Sequence, residues 1–350
     1  MPDLYNTRQP MARHVERSIT NAARHLHVSN PLNFVGDMVK RTFALPDDDS
    51  SYGNNALTPG AVPFEPSFSE QEPNALRFTI EPLGPHASPS SRRDEATREM
   101  RRLINGVFGR DALRWFDTRS EEWRGMNGLS WMNYGAWFGS AFDEDGLYAA
   151  KIYYELLPSQ IDALSQGTAR ITRLACAIMP SLMPIFTSIG CKREAGSQRV
   201  TFLHRGPLSL TDLSPLMNQL GIGHQLPGLM RVVGLALGGR FELPHGTVLL
   251  GLRETHEGVE LKLEILLAAL PDVPDGFLDL VRLGLAERPR QLGALERWLD
   301  AFGVDEAGTE GNFSVLSIRV TPRTSARISL YVRPLEFEIG GQIEESRQMA

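Results

Sequence analysis

Apolar and polar positions alternate with period two from Leu147 to Pro158, where Lys151, Tyr153 and Glu155 share one face and Ile152, Tyr154 and Leu156 the other. Successive side chains of a strand point to opposite sides of its sheet, so the pattern predicts a strand with one polar face. The alternation recurs. Segments 62–69 and 75–82 make a first pair, in which Arg77, Thr79 and Glu81 oppose Leu76, Phe78 and Ile80. The stretch 129–138 pairs with the strand at Leu147 through the turn formers Asp143 to Gly146. A strand over 198–204 has no evident partner. Segments 247–253 and 259–266 flank a tight turn at His256 to Gly258, and 313–320 with 326–332 form a last pair.

Helical periodicity fills the intervals. Val15, Ile19, Ala22, Ala23 and Leu26 predict an amphipathic helix over 11–28, and Met100, Leu103, Ile104 and Val107 one over 92–108. Helical segments are predicted from Ser159 to about Ile189, with Pro180 and Pro184 dividing the second of them, and further helices over 210–220, 226–237 and 277–302. About five units of strand pair plus helix, none able to bury its apolar face alone, predict one repeated architecture. Because hairpins alternate with helices, the fold class is α+β with an antiparallel sheet. Ten strands surrounded by helices can close into a barrel, whose lumen would collect the polar alternates. The expected organisation is an N-terminal helical segment and loop over 1–48, a single barrel domain over 49–340, and a tail over 341–350.

Composition narrows the function classes. With 350 residues and 42% hydrophobic content the chain can bury a substantial core. A formal charge of −6, with Lys and Arg dispersed, argues against a nucleic-acid partner. Any anion site must therefore be local. Cys176 and Cys191 lack metal-type spacing and suit a reducing compartment. Asp3 stands near the amino terminus, no apolar core with a cleavage site follows, and no run reaches membrane-spanning length, so a soluble cytoplasmic protein is expected. His25 and His27 cannot share a helix face, and the other histidines make no ligand pattern. The Asp47 to Asp49 run is followed by Ser50 and Ser51, without the further acid of a metal–diphosphate motif. No metal site is expected. Trp115, Trp123, Trp131 and Trp137 suit either core packing or the wall of an aromatic pocket.

The polar faces of the second strands supply Arg77, Lys151 with Tyr153, Arg199, Lys262, and Arg327 with Tyr331. Singly, each cation reads as part of a solvated strand face rather than of a site. Converging on one lumen, they would form a phosphate or diphosphate site, because charge-assisted hydrogen bonds strengthen where water is excluded. Tyrosine rings beside them can shield a carbocation.

The segment Leu57 to Ser69 resembles the leucine-threonine, glycine, proline, glutamate and serine pattern of the aromatic prenyltransferases of the ABBA fold, in their indole or dimethylallyl-tryptophan synthase branch. Arg77 a dozen residues on, and Lys151-Ile152-Tyr153, continue the similarity. The resemblance implies a ten-stranded antiparallel barrel that transfers a dimethylallyl or longer prenyl group, without a metal, to an electron-rich aromatic small molecule or peptide. No nucleic acid, membrane or cofactor beyond the prenyl diphosphate is implied, and the protein would be a monomer or homodimer. Glu65 would accept a hydrogen bond from an indole N–H, with a salt bridge to Arg77 or Lys151 as its structural alternative. Arg77 and Lys151 would hold the diphosphate, and Tyr153 and Tyr331 would flank the allylic cation. Departures begin at Arg199-Val200-Thr201-Phe202-Leu203, where the family shows arginine-x-lysine-x-tyrosine, and at Glu264, where it shows tyrosine. They leave two alternatives to prenyl transfer, a barrel with other chemistry and a non-catalytic binding or scaffold protein.

Overall fold

Five antiparallel hairpins close into one barrel. The computed structural model describes residues 9–125, 132–193, 195–302 and 313–339. The hairpins begin with β1 (Phe64–Ser69) and β2 (Leu76–Ile80), β3 (Ala136–Asp143) and β4 (Gly146–Glu155), and β5 (Leu182–Lys192) and β6 (Gly196–His204). Short strands β7 (Leu208–Ser209) and β8 (Glu242–Leu243) then pair separately. The barrel resumes with β9 (Val248–Thr255) and β10 (Gly258–Leu266), and ends with β11 (Phe313–Val320) and β12 (Arg327–Val332). Its order is β1-β12-β11-β10-β9-β6-β5-β4-β3-β2, with β1 bonded to both β2 and β12. Closure leaves the barrel itself without an edge strand to pair with another chain. Gly146 and Gly258 adopt positive φ in the tight turns β3–β4 and β9–β10, a conformation that costs a residue with a Cβ.

Helices cover the outside. They are α1 (Met11–His25), α2 (Leu32–Thr42), α3 (Pro89–Leu103), α4 (Arg110–Arg124), α5 (Gln166–Ile178), α6 (Ser214–Gln219), α7 (Leu226–Ala236), α8 (Phe277–Leu285) and α9 (Pro289–Ala301). Helix α3 lies against β3 and β4, α5 against β5, β6 and β9, and α1 against α2 and α9. The apolar face of β4 supports this layer: Ile152 and Tyr154 are fully buried, and the Tyr154 hydroxyl meets Thr97 Oγ1 on α3 at 2.8 Å. Truncating Ile152 to Ala would cost about 2–5 kcal/mol, the range for a large-to-small core change.

The main correction concerns the third unit. The helix expected to run to about Ile189 stops at Ile178, and Leu182–Lys192 is instead β5, the missing partner of β6. Pro180 ends the helical pattern, while Pro184 falls at a register shift in β5, where a missing N–H costs the ladder little. The helix expected over 277–302 divides at Arg288, ahead of Pro289. Helices α2 and α4 are additions to the expected set; α2 continues through Gly36, a poor helix former, and α4 buries only Phe116, Ser120 and Trp123. The strand expected from Leu129 starts at Ala136, residues 129–131 and the tail 341–350 lying outside the described residues. Among the described residues no helix is long and apolar enough to cross a membrane.

Candidate active site

Strand register turns cations from five strands into one end of the lumen. Arg77 on β2, Lys151 on β4, Arg199 on β6, Arg253 on β9 and Arg319 on β11 line a narrow cavity with Lys192, Ser188, Ser197 and Tyr331. Glycines make the room. Lys151 lies opposite Gly139 and Gly190, and Lys262 opposite Gly251. A Cβ at position 251 would stand 2.9 Å from Arg199 Cδ.

These charges are partly paired. Glu260 receives Arg199 and Arg253, with Arg319 at 3.6 Å. Burial alone would raise its pKa, but Arg199, Arg319 and Arg253 hold it well below the usual range. Lys151 makes no hydrogen bond or ion pair among the described residues, and its Nζ lies 5.4 Å from the Tyr153 ring centroid. Burial first, and the positive field of Arg199, Lys262, Arg77 and Arg319 second, push its pKa well below that of a free lysine. Arg77 Nη1, Arg199 Nε and Arg253 Nε are buried without a hydrogen-bond partner. Unmet donors in a cavity lined by more cations than anions describe a site that an oxyanion with several negative charges would complete.

Beyond this end the lumen widens into a chamber of ≈ 520 Å³, a volume typical of small-molecule sites. The two spaces share Thr79, Tyr153, Ser188, Arg199 and Tyr331. Trp137 walls the chamber, stacked on Tyr134 at 4.0 Å and edge-on to Phe186. Its Nε1 donates to Glu81 Oε2 at 3.0 Å, which fixes the ring. Lys262 donates to Glu264 and, at 2.9 Å, to the Tyr331 hydroxyl. The extra carboxylate of Glu264 is thereby neutralised: burial opposes ionisation, and Lys262 more than offsets it. Glu65 is buried in the chamber wall and, among the described residues, accepts one bond, from Ser314 Oγ at 2.7 Å. Burial lifts its pKa to about 7 against that hydrogen bond. Neither Arg77 nor Lys151 forms an ion pair with it, so the structural alternative for Glu65 is not realised.

Arg77, Lys151, Tyr153, Arg199 and Tyr331 thus meet at the cationic end, while Glu65 and Lys262 face the chamber. Arg327 lines neither space. It sits 3.3 Å from Glu70 at the barrel rim, and its cross-strand neighbour Arg319 takes the lumen position. Arg253 and Arg319 occupy the first strands of their hairpins, β9 and β11, outside the second-strand set that the sequence singles out. Alternation with Leu252 and Ile318 was the available signal. Lys192 lies just past the run predicted as helical, where no alternation marks an inward face. Of the tryptophans, Trp123 is core, stacked on Tyr154, Trp137 faces the chamber, and Trp131 lies outside the described residues. Among the described residues no group of three or more His, Cys, Asp or Glu is placed to hold a metal.

No protein-family model and no curated protein sequence matches the chain. Solved structures do. The prenyltransferase PriB in its apo form superposes with a TM-score of 0.72 at 14% identity, over 94% of this chain and 98% of that one. The 6-dimethylallyltryptophan synthase from Micromonospora olivasterospora, in complex with DMASPP and Trp, gives 0.72 at 13% identity over 95% and 99%. The 5-dimethylallyltryptophan synthase from Streptomyces coelicolor gives 0.65 at 14% identity over 94% and 99%. The chain therefore has the prenyltransferase-barrel fold.

Proposed function

We propose that this protein is an aromatic prenyltransferase, moving a dimethylallyl or longer prenyl group from its diphosphate to an electron-rich aromatic such as an indole or tryptophan compound or peptide. The observation that carries this reading is the junction of two spaces. A cationic end with unmet N–H donors opens, between Tyr153 and Tyr331, onto an aromatic chamber whose wall includes Glu65. Structures of the same fold named for dimethylallyl transfer to tryptophan support it. Arg77, Lys151, Arg199, Arg253 and Arg319 would hold the diphosphate, with Lys262 and Tyr331 at its allylic side. As the C1–O bond breaks, its electron pair goes to the diphosphate, whose growing charge these cations stabilise. The tyrosine rings shield the allylic cation from water. Glu65, accepting the indole N–H, raises the electron density of the ring, whose carbon then bonds to C1. The ring proton passes to an oxygen of the departed diphosphate, and aromaticity returns. The side chains here take the charge-neutralising role a divalent ion could play, so transfer is expected to persist in EDTA. Mass spectrometry with dimethylallyl or geranyl diphosphate against indole, tryptophan and tryptophan peptides tests the reading. A product heavier by one prenyl group less one proton is expected; no product with any pair, and no calorimetric diphosphate binding, would overturn it.

A further inference from the structure

The β1–β2 turn sends three consecutive side chains toward the cationic rim. Glu70 takes Arg288 and Arg327 and accepts the Ile328 N–H at 3.0 Å, and Gln71 accepts from Arg319. Glu72 goes further in and lines the cationic cavity itself. It accepts from Lys192 Nζ at 2.7 Å and from the Tyr148 hydroxyl, and stands 3.5 Å from Arg77 Nη1. Burial disfavours its charge, yet Arg77 and Lys192 hold its pKa down to about 2.

We propose that Glu72 is a resident anion that stands in for the donor's diphosphate in the empty site and sets its affinity by competing for Arg77 and Lys192. This rests on the diphosphate reading of that cavity. Two features make the carboxylate displaceable. Its approach to Arg77 stops at ion-pair distance, leaving the Nη1 hydrogens without a hydrogen bond. The turn is tied by its backbone, with Glu72 N–H donating to Ser69 O and Ala75 N–H to Glu72 O, both at 3.1 Å, so the side chain can swing away while the hairpin stays closed. Without a donor, Glu72 relieves repulsion among cations packed into low dielectric. With a donor, the same negative charge opposes the diphosphate.

The test is calorimetric titration of inorganic diphosphate into wild type, Glu72→Gln and Glu72→Asp, with thermal melts of each. Glu72→Gln should bind on the order of tenfold more tightly than wild type at low salt while melting at a lower temperature without ligand. Glu72→Asp, which keeps the charge, should stay within about threefold of wild type. A purely structural role would lower the melting temperature without tightening binding, and unchanged or weaker binding in Glu72→Gln overturns the proposal. If Glu72→Gln fails to fold, carboxyl-carbon NMR on the wild type decides: the Glu72 pKa should rise toward the ordinary range on saturation with diphosphate, and a resonance that does not respond overturns the proposal. Absence of binding by every variant overturns the diphosphate reading together with it.

Discussion

Two buried carboxylates of the lumen, Glu260 at the cationic end and Glu65 in the chamber, are shifted in opposite directions. At the cationic end Glu260 is surrounded by Arg199, Arg253 and Arg319 and stays ionised far below the usual range. In the chamber Glu65 has one hydroxyl partner and rises to about 7. Register makes the difference. Glu260 lies opposite Arg253, whereas Glu65 lies opposite Thr79. A carboxylate with cations on its neighbouring strands becomes structure, while one without them keeps a proton in play and retains capacity for a ligand. The tyrosines at the border follow the chamber's rule, Tyr153 being pushed up to about 12 by burial, so they stay neutral and present intact ring faces.

Breaking the chamber side should have the largest effect. Glu65→Gln is expected to lower kcat/KM for an indole acceptor by about 10²-fold or more, with diphosphate affinity unchanged. Steady-state kinetics beside diphosphate titration would show that split. A parallel loss of donor affinity would merge the two ends into one site. In the wild type, transfer to an indole should fall as pH drops through about 7, when Glu65 takes up its proton, and this acid limb should vanish in Glu65→Gln.

Breaking the cationic side should have the converse effect. Lys151→Ala or Arg319→Ala is expected to weaken diphosphate binding by about 1.5–3 kcal/mol, as for loss of a charge-assisted bond. Titration of both variants reads this directly. Because the folded pKa of Lys151 is depressed, diphosphate binding should be accompanied by proton uptake, measurable as a dependence of the binding heat on the buffer's ionisation enthalpy.

Stability should separate the same two carboxylates by the sign of their pH dependence. Glu65, with its folded pKa raised from 4.5 to about 7, adds stability that is complete below pH 4.5 and is lost as pH rises through 7. Relative to wild type, Glu65→Gln should therefore gain about 2–3 kcal/mol across that window. Glu260, depressed, adds stability present above pH 4.5 and lost as pH falls below it. Denaturant melts of wild type and Glu65→Gln at pH 4.5, 6 and 8 would measure the first slope, and a flat difference would contradict it. The smallest effect is expected from Gly251→Ala. The new methyl forces Arg199 off its rotamer and should weaken diphosphate binding by about 0.5–1.5 kcal/mol.

How much of this was legible in the chain differs between the two ends. Period two in β2, β4, β10 and β12 is clean, so their inward residues could be read directly, and five repeats of the hairpin implied closure. Strand β5 is hidden because Pro180 ahead of it and Pro184 within it interrupt an apolar run that also fits a helix. With it went Ser188, Gly190 and Lys192, which border the cationic end. Arg327 illustrates another limit. Alternation puts a side chain on the inner face but does not say how far along the barrel it lies, and closure sets Arg327 at the rim beside Glu70. Pairing is a further limit: alternation puts Lys262 and Glu264 on one face, and only the fold brings Lys262 to both Glu264 and the Tyr331 hydroxyl.

The central claim, that donor and acceptor are held by chemically distinct ends of one lumen, is tested most directly with a non-reacting thiolo analogue of dimethylallyl diphosphate. Calorimetry is expected to show one equivalent bound by wild type and by Glu65→Gln with equal affinity, and binding weakened at least tenfold in Lys151→Ala. No binding to wild type, or binding lost in Glu65→Gln and kept in Lys151→Ala, would contradict it.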